Sequence, residues 1–187
     1  MVRFIAYSLE EYDILILRNE KNVIELQKLE SKCSQDLINL TNSRKTSCAI
    51  MLSLHYGSFT LGILSLRSLG LPIYVLGSNV VNSSELPPSI RSFFQKKYQT
   101  MNKFLNGGTV MFLEEQKKAF FKHLKKGAIG VALTDLIAGS SSSSLRLKIF
   151  ENEANIQAGL AYFAKKNEIP IGFFLCRRTL GGNLLFD

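Results

Sequence analysis

The chain has 187 residues, 46% of them hydrophobic and 20% charged, with a formal net charge of +8 at pH 7. That length and apolar fraction suffice for one core-forming domain and exclude intrinsic disorder, a collagen repeat and a disulfide mini-scaffold. Cys33, Cys48 and Cys176 lie far apart without C-x-x-C spacing and read as reduced thiols; Glu10, Glu11 and Asp13 interrupt any signal-peptide core, so a cytoplasmic location is expected.

In chain order, the periodicity of Val23, Ile24, Leu26, Leu29, Leu37, Ile38 and Leu40 predicts an amphipathic helix over 22–40, within an N-terminal helical segment of residues 1–45. An α/β core over residues 46–187 follows. SCAIMLSL, Ser47 to Leu54, is a continuous apolar run with the length of a buried parallel strand, and it ends at His55. A helix from Ser58 to Leu69 comes next, with Ser58 as its cap and Gly70 as its stop. Pro72 opens the strand IYVLG, and the polar loop Ser78 to Ser84 leads through Pro87-Pro88 into a helix that runs to about Leu105. Asn106-Gly107-Gly108 ends that helix. TVMFL is the next strand, Glu114 to Lys126 a basic helix, and AIGVALT a strand that finishes at Asp135. The serine run to Ser144 reads as a linker, Asn152 to Lys166 as a helix, Ile169 to Cys176 as a strand and Gly181-Gly182 as a hairpin turn.

Alternating strands and helices predict an α/β fold with a largely parallel central sheet flanked by helices. Ligand sites in such sheets form where loops leave the carboxyl ends of strands, which selects His55, Gly77 to Asn82, Asp135 and Cys176-Arg177-Arg178. Ser58 to Leu76 is the nearest approach to a membrane span, but Arg67, Gly70 and Pro72 break it. The mean hydropathy of +0.09 leaves room for an apolar groove or a peripheral membrane-facing patch.

The charge is unevenly placed. Residues 1–85 carry 8 basic and 8 acidic side chains, residues 86–126 carry 9 and 2, and residues 127–187 carry 6 and 5. The middle segment, with Arg91, Lys96, Lys97, Lys103, Lys117, Lys118, Lys122, Lys125 and Lys126, therefore holds nearly all of the excess. Such a patch steers in phosphate groups, acidic carrier proteins, anionic lipid or nucleic acid, or is simply a solvated helix surface. Interleaved Phe93, Phe94, Tyr98, Phe104, Phe120 and Phe121 have helical spacing that points to core packing, with base stacking the alternative. No nucleic-acid module signature occurs, and nucleic acid is not an expected partner.

Phosphate-cradling motifs and the G-x-S-x-G elbow are absent, which removes support for nucleotide hydrolysis, dinucleotide redox chemistry and ordinary α/β hydrolysis. The two histidines, His55 and His123, lie in no metal-ligand spacing, so no bound metal or cofactor is expected. His123, within FFKHLKK, reads as a solvated surface residue. His55 follows a buried strand and precedes a glycine and a helix start, where an imidazole can take a proton from a hydroxyl or amine. The alternative is a hydrogen-bonded structural histidine at a strand end.

LSLHYGSFTLG, IYVLGSN, the helix with Asn102-Lys103, HLKKGAIGVALTD and LKIFENEANIQAGLAYFAKKNEIPIGFF together resemble the bacterial lipid A biosynthesis acyltransferases of the lysophospholipid acyltransferase superfamily. The resemblance covers roughly residues 35–178. It implies a glycerolipid acyltransferase-like fold, with His55 as the catalytic base, Asp135 as the strand-end aspartate and Phe150 as the later aromatic. The family's His-x4-Asp/Glu carboxylate position is occupied by Thr60, an arginine usual after the second strand is replaced by Gly77-Ser78-Asn79, and no match to the family's N-terminal membrane helix is found.

The function so implied is transfer of an acyl group from a carrier-protein or coenzyme A thioester, as co-substrate, to a small-molecule amine or hydroxyl. His55, Asp135 and Thr60 hold the catalytic positions. Ser58, Ser78, Asn79, Asn102, Lys103 and Phe150 would bind substrate, and Lys117, Lys118, Lys122, Lys125 and Lys126 would dock an acidic carrier, in the cytoplasm or peripherally at the inner membrane. Two alternatives remain: a degenerate member that binds acyl chain or carrier without catalysis, and Cys176 as an acyl-accepting nucleophile with His55 as its base.

Overall fold

A computed structural model describes residues 11–19, 39, 48–55, 57–134, 144–149, 151–178 and 184–186. Its centre is a five-stranded, all-parallel sheet in the order β3-β2-β4-β1-β7, formed by β1 (Ala49–Ser53), β2 (Ile73–Gly77), β3 (Val110–Phe112), β4 (Ile129–Leu133) and β7 (Ile171–Phe173). The expected α/β class with a parallel sheet is what the chain adopts. β1 and β4 pair along their whole length, from Ala49 opposite Ile129 to Ser53 opposite Leu133.

Period-two alternation divides each strand between two cores. On one face Ala49, Met51, Ile73, Val75, Val110, Ile129 and Val131 pack under α1 (Phe59–Ser65) and α2 (Pro88–Asn102) through Phe59, Ile63 and Met101. On the other, Ile50 and Met111 meet Phe120 and Leu124 of α3 (Leu113–Lys125) and Ala164 of α4 (Gly159–Asn167). Helices thus cover both faces, as the near-continuous apolar strands require. Gly130 on β4 permits the close approach of α3, because a Cβ there would lie 2.7 Å from Leu124 Cδ2 and from Phe120 Cζ. Phe120 is fully buried at this contact. Phe120→Ala is expected to destabilise the fold by about 3–5 kcal/mol, read from denaturant unfolding.

Most boundaries agree with the sequence to within a residue or two. α1 continues as a 3-10 turn, Leu66–Leu69, and stops at Gly70 with φ +67, the left-handed conformation expected of a glycine stop. The region after residue 143 departs from expectation. Asn152 to Gln157 is not the start of a helix but β6 (Asn152–Gln157), paired antiparallel with β5 (Ser144–Ile149). Leu145 and Leu147 stand opposite Ile156 and Ala154, while Arg146 and Lys148 stand opposite Asn155 and Glu153. Leu145 and Leu147 thus share one face of β5 and Arg146 and Lys148 the other, and Arg146 forms an ion pair with Glu153. Cross-strand pairing overrides the helix-compatible composition of NEANIQ. The expected strand Ile169 to Cys176 is split into β7 and β8 (Cys176–Arg178), and β8 pairs antiparallel with β9 (Leu184–Phe186). The predicted turn at Gly181-Gly182 lies outside the described residues, as do the serine run before Ser144, which itself opens β5, and, apart from helical Asn39, the helix expected over 22–40. Residues 11–17 are helical and place Leu17 against Leu61, Leu64 and Cys176 in a third, smaller core.

Candidate functional site

β1 leads into α1 on one face of the sheet, whereas the chain leaving β4 reaches α4 on the other. Adjacent strands whose outgoing connections part to opposite faces leave a crevice at their carboxyl ends, the usual ligand position in parallel sheets. His55, two residues beyond β1, is exposed at that edge. Asp135, directly after Thr134 at the end of β4, lies outside the described residues, as does Phe150.

The turn carrying His55 is anchored on both sides. On the strand side, Ser53 Oγ donates to Phe174 O at 2.8 Å, and Thr134 donates to Ser53 O from its backbone N–H at 2.9 Å and from Oγ1 at 3.2 Å. On the helix side, Ser58 N–H donates to Cys176 O at 2.7 Å and Gly57 forms a parallel bridge with Cys176. Gly57 has φ +70, and a Cβ on it would sit 2.2 Å from Cys176 O, so only glycine passes between the turn and β8.

Ser58 occupies the N-cap position of α1 without making a side-chain cap hydrogen bond. Its hydroxyl instead donates to Asp13 Oδ1 at 3.1 Å, correcting its expected role as helix cap. Both residues are 1% exposed. Asp13 was visible in the sequence only as a break in an apolar stretch; the missed signal is its place on the buried face of the helical segment with Ile14 and Leu17, against exposed Glu11, Tyr12 and Leu15.

Thr60 departs from its expected catalytic position. It is 2% exposed, its Oγ1 has no hydrogen-bond partner among the described residues, and it lines a cavity with Leu17, Ile63, Leu64, Met101, Phe104 and Leu105, whereas His55 is exposed to solvent. The cavity has room for about one water molecule. Thr60 thus faces the apolar interior. Thr60→Val is expected to raise stability by about 1 kcal/mol, because it removes an unsatisfied buried hydroxyl, and to leave turnover unchanged; thermal unfolding and an activity assay check both.

Ser78 and Asn79 share the carboxyl edge with His55 but follow β2, two strands from β1 and therefore roughly 10 Å away. Asn79 is structurally engaged: its backbone N–H donates to Glu114 Oε2 at 3.2 Å, Nδ2 donates to Glu115, and Oδ1 accepts from Asn82 N at 3.3 Å. Tyr98 Oη donates to Ser78 O at 3.3 Å. Asn102 and Lys103 are not brought to this edge. Asn102 Oδ1 accepts from Val110 N at 2.9 Å and from Thr109 Oγ1 at 3.2 Å, which fixes it and its neighbour Lys103 at the amino end of β3. Substrate contact beside His55 is therefore not available to this pair.

Lys117, Lys118, Lys122, Lys125 and Lys126 are exposed along α3 and its end, opposite the side that buries Phe120 and Leu124. Glu114 and Glu115 in the first turn and lysines in the last complement the helix dipole. Because α3 starts after the carboxyl end of β3 and ends before the amino end of β4, its lysine-rich end lies at the edge away from His55. Lys97 does not join the solvated patch: it is buried, its Nζ 5.6 Å from the centroid of the Phe94 ring. The aromatics pack among themselves, through Phe94 with Tyr98, Tyr98 with Phe112, and Phe121 with Phe163. His123, expected to be solvated, is half-buried and stacked on Tyr74 with centroids 4.0 Å apart.

Cys176 is buried beside Leu17, Leu61 and Leu64, and a Cβ on Gly62 would meet its Cβ at 3.0 Å. Its side chain fills the space behind α1. Cys48 is also buried, and neither cysteine is in a disulfide. Among the described residues, no group of three or more histidine, cysteine or carboxylate side chains is arranged to hold a metal, and no helix is long and apolar enough to cross a membrane. No family model matches the chain, and no curated protein matches it.

Proposed function

We propose that the protein transfers an acyl group from a thioester to an amine or hydroxyl, with His55 as general base. The observation that carries the reading is an exposed imidazole at the carboxyl edge of a parallel sheet, on a turn anchored before and after it. The likeness of its flanking segments to lipid A biosynthesis acyltransferases supplies the reaction class. His55 takes the proton from the acceptor N–H or O–H as that atom bonds to the thioester carbonyl carbon. The tetrahedral intermediate then collapses, the carbon–sulfur bond breaks, and the departing sulfur takes the proton back from the imidazolium. A positioned base contributes typically about 10²–10⁴-fold, and holding donor and acceptor together contributes further.

Asp135 is the proposed partner of His55 from the neighbouring strand. The α3 lysines act in this reading at a distance, as a field that draws in an acidic carrier protein or a coenzyme A phosphate. Reversing Lys117, Lys118, Lys122, Lys125 and Lys126 to glutamate is expected to lower the association rate of an acidic carrier about 10-fold or more at low salt and to flatten its salt dependence. Stopped-flow binding measures both, and an unchanged rate would leave the lysines as a solvated surface.

The reading is tested by incubating the protein with a panel of acyl-carrier and acyl-coenzyme A donors and candidate amines and alcohols, with mass spectrometry of the products. Acylated acceptor that depends on His55 supports it. Thr60 in place of a carboxylate favours the second reading, a protein that holds acyl donors without turning them over; binding of donors without any product would establish that reading instead.

A further inference from the structure

We propose that Asp13 is a positioning residue that fixes the His55 turn through Ser58. The inference rests on the reading of His55 as the base and adds a carboxylate that acts on its turn rather than on the imidazole. Among the described residues Asp13 is the one buried carboxylate, and it accepts the Ser58 hydroxyl hydrogen bond at 3.1 Å across 45 residues of sequence. A buried carboxylate is costly unless hydrogen-bonded, and the Ser58 hydroxyl supplies one such bond.

Ser58 is where three elements meet. Its hydroxyl reaches the helical segment 11–17, its N–H reaches Cys176 O at 2.7 Å on β8, and its carbonyl accepts from Gly62 N at 2.9 Å within α1. His55 lies three residues earlier, between this anchor and the Ser53 anchor on β1. Removing the side-chain bond leaves the backbone bonds of Ser58 and the packing of Leu17 on Leu61 and Leu64, but removes the hydrogen bond that ties the start of α1 to the N-terminal segment. A base that must meet an acceptor proton within hydrogen-bond reach is sensitive to such a change, because displacement of about 1 Å can cost 10²-fold.

The test compares Ser58→Ala, Asp13→Ala, the double variant and Asp13→Asn in the full chain. In the acyl-transfer assay each alanine variant is expected to lower kcat about 10–100-fold with KM within about 2-fold of the unmodified protein. The double variant should be no slower than the slower single variant, since the contact that Ser58→Ala removes is already lost in Asp13→Ala. Asp13→Asn keeps an acceptor oxygen and a similar size, and should recover most of the loss. Backbone amide relaxation is the second readout and needs no substrate: order at His55 and Gly57 should fall in the alanine variants and return in Asp13→Asn. Unchanged kcat and unchanged order in folded Ser58→Ala would overturn the proposal, and so would losses that multiply in the double variant. Should His55→Ala retain activity, the base reading fails, while the relaxation measurements still decide whether Asp13 holds the turn.

Discussion

His55→Ala is expected to lower acyl transfer from a thioester by about 10²–10⁴-fold while leaving the melting temperature close to that of the unmodified protein. The two halves of this expectation have different physical sources. In the proposed reaction the rate depends on a group that can take a proton from the acceptor, and alanine offers none. Stability depends on β1, whose Ala49, Ile50 and Met51 are buried and whose pairing with β4 and β7 ends before residue 55. An exposed side chain beyond the last ladder pair contributes little to either core. A histidine with a purely structural role at the strand end would give the opposite pattern, a lower melting temperature with turnover preserved in the folded fraction.

Gly57→Ala is expected to be the most damaging single methyl in the turn. It combines two costs: a left-handed backbone, φ +70, and a Cβ placed 2.2 Å from the Cys176 carbonyl oxygen. Gly70→Ala separates them, because Gly70 has φ +67 with nothing within 4 Å of an added Cβ. Gly70→Ala should cost about 1 kcal/mol, the backbone term alone. Gly57→Ala should cost about 3 kcal/mol or more, because backbone must move away from backbone. For a chain of this size that corresponds to a fall in melting temperature of roughly 10 °C. Since the displaced atoms belong to the anchor of the His55 turn, turnover in the folded fraction should also fall, by about 10²-fold. Equal costs for the two substitutions would show that β8 does not press on the turn.

The parallel sheet was readable because its strands are buried on both faces and announce themselves as short apolar runs. SCAIMLSL, IYVLG, TVMFL and AIGVALT each became a strand, and the intervening helices begin and end near Pro88, Asn102, Leu113 and Lys125. Strand order was not readable, since the placement of β4 between β2 and β1 is a long-range pairing with no local mark. The hairpin β5–β6 carried a mark that composition obscured: Leu145, Leu147 and Ile149 alternate with Arg146 and Lys148, a period of two rather than 3.6. NEANIQ after it suits a helix equally well, and its pairing with LRLKI decides otherwise.

The candidate site is legible where topology alone determines it. His55 follows a buried strand, and the carboxyl-edge rule selects it without knowledge of strand order. Asn102 and Lys103 could not be assigned in this way, because they end a helix that returns to the amino edge and Asn102 caps the start of β3 there. Spacing from His55 selects Thr60, but the first turn of α1 directs that position into the cavity beside Met101 and Leu105. Asp13 could be found only from the docked helical segment, since nothing local relates residues 13 and 58.

The most direct test is a single-turnover reaction of an acyl thioester with the protein and an acceptor, followed by mass spectrometry of intact protein and small molecules. General-base transfer predicts acylated acceptor and free thiol in equal amounts, with the protein mass unchanged at every time point. An acyl adduct on the protein, or equal thioester consumption by His55→Ala, would contradict it.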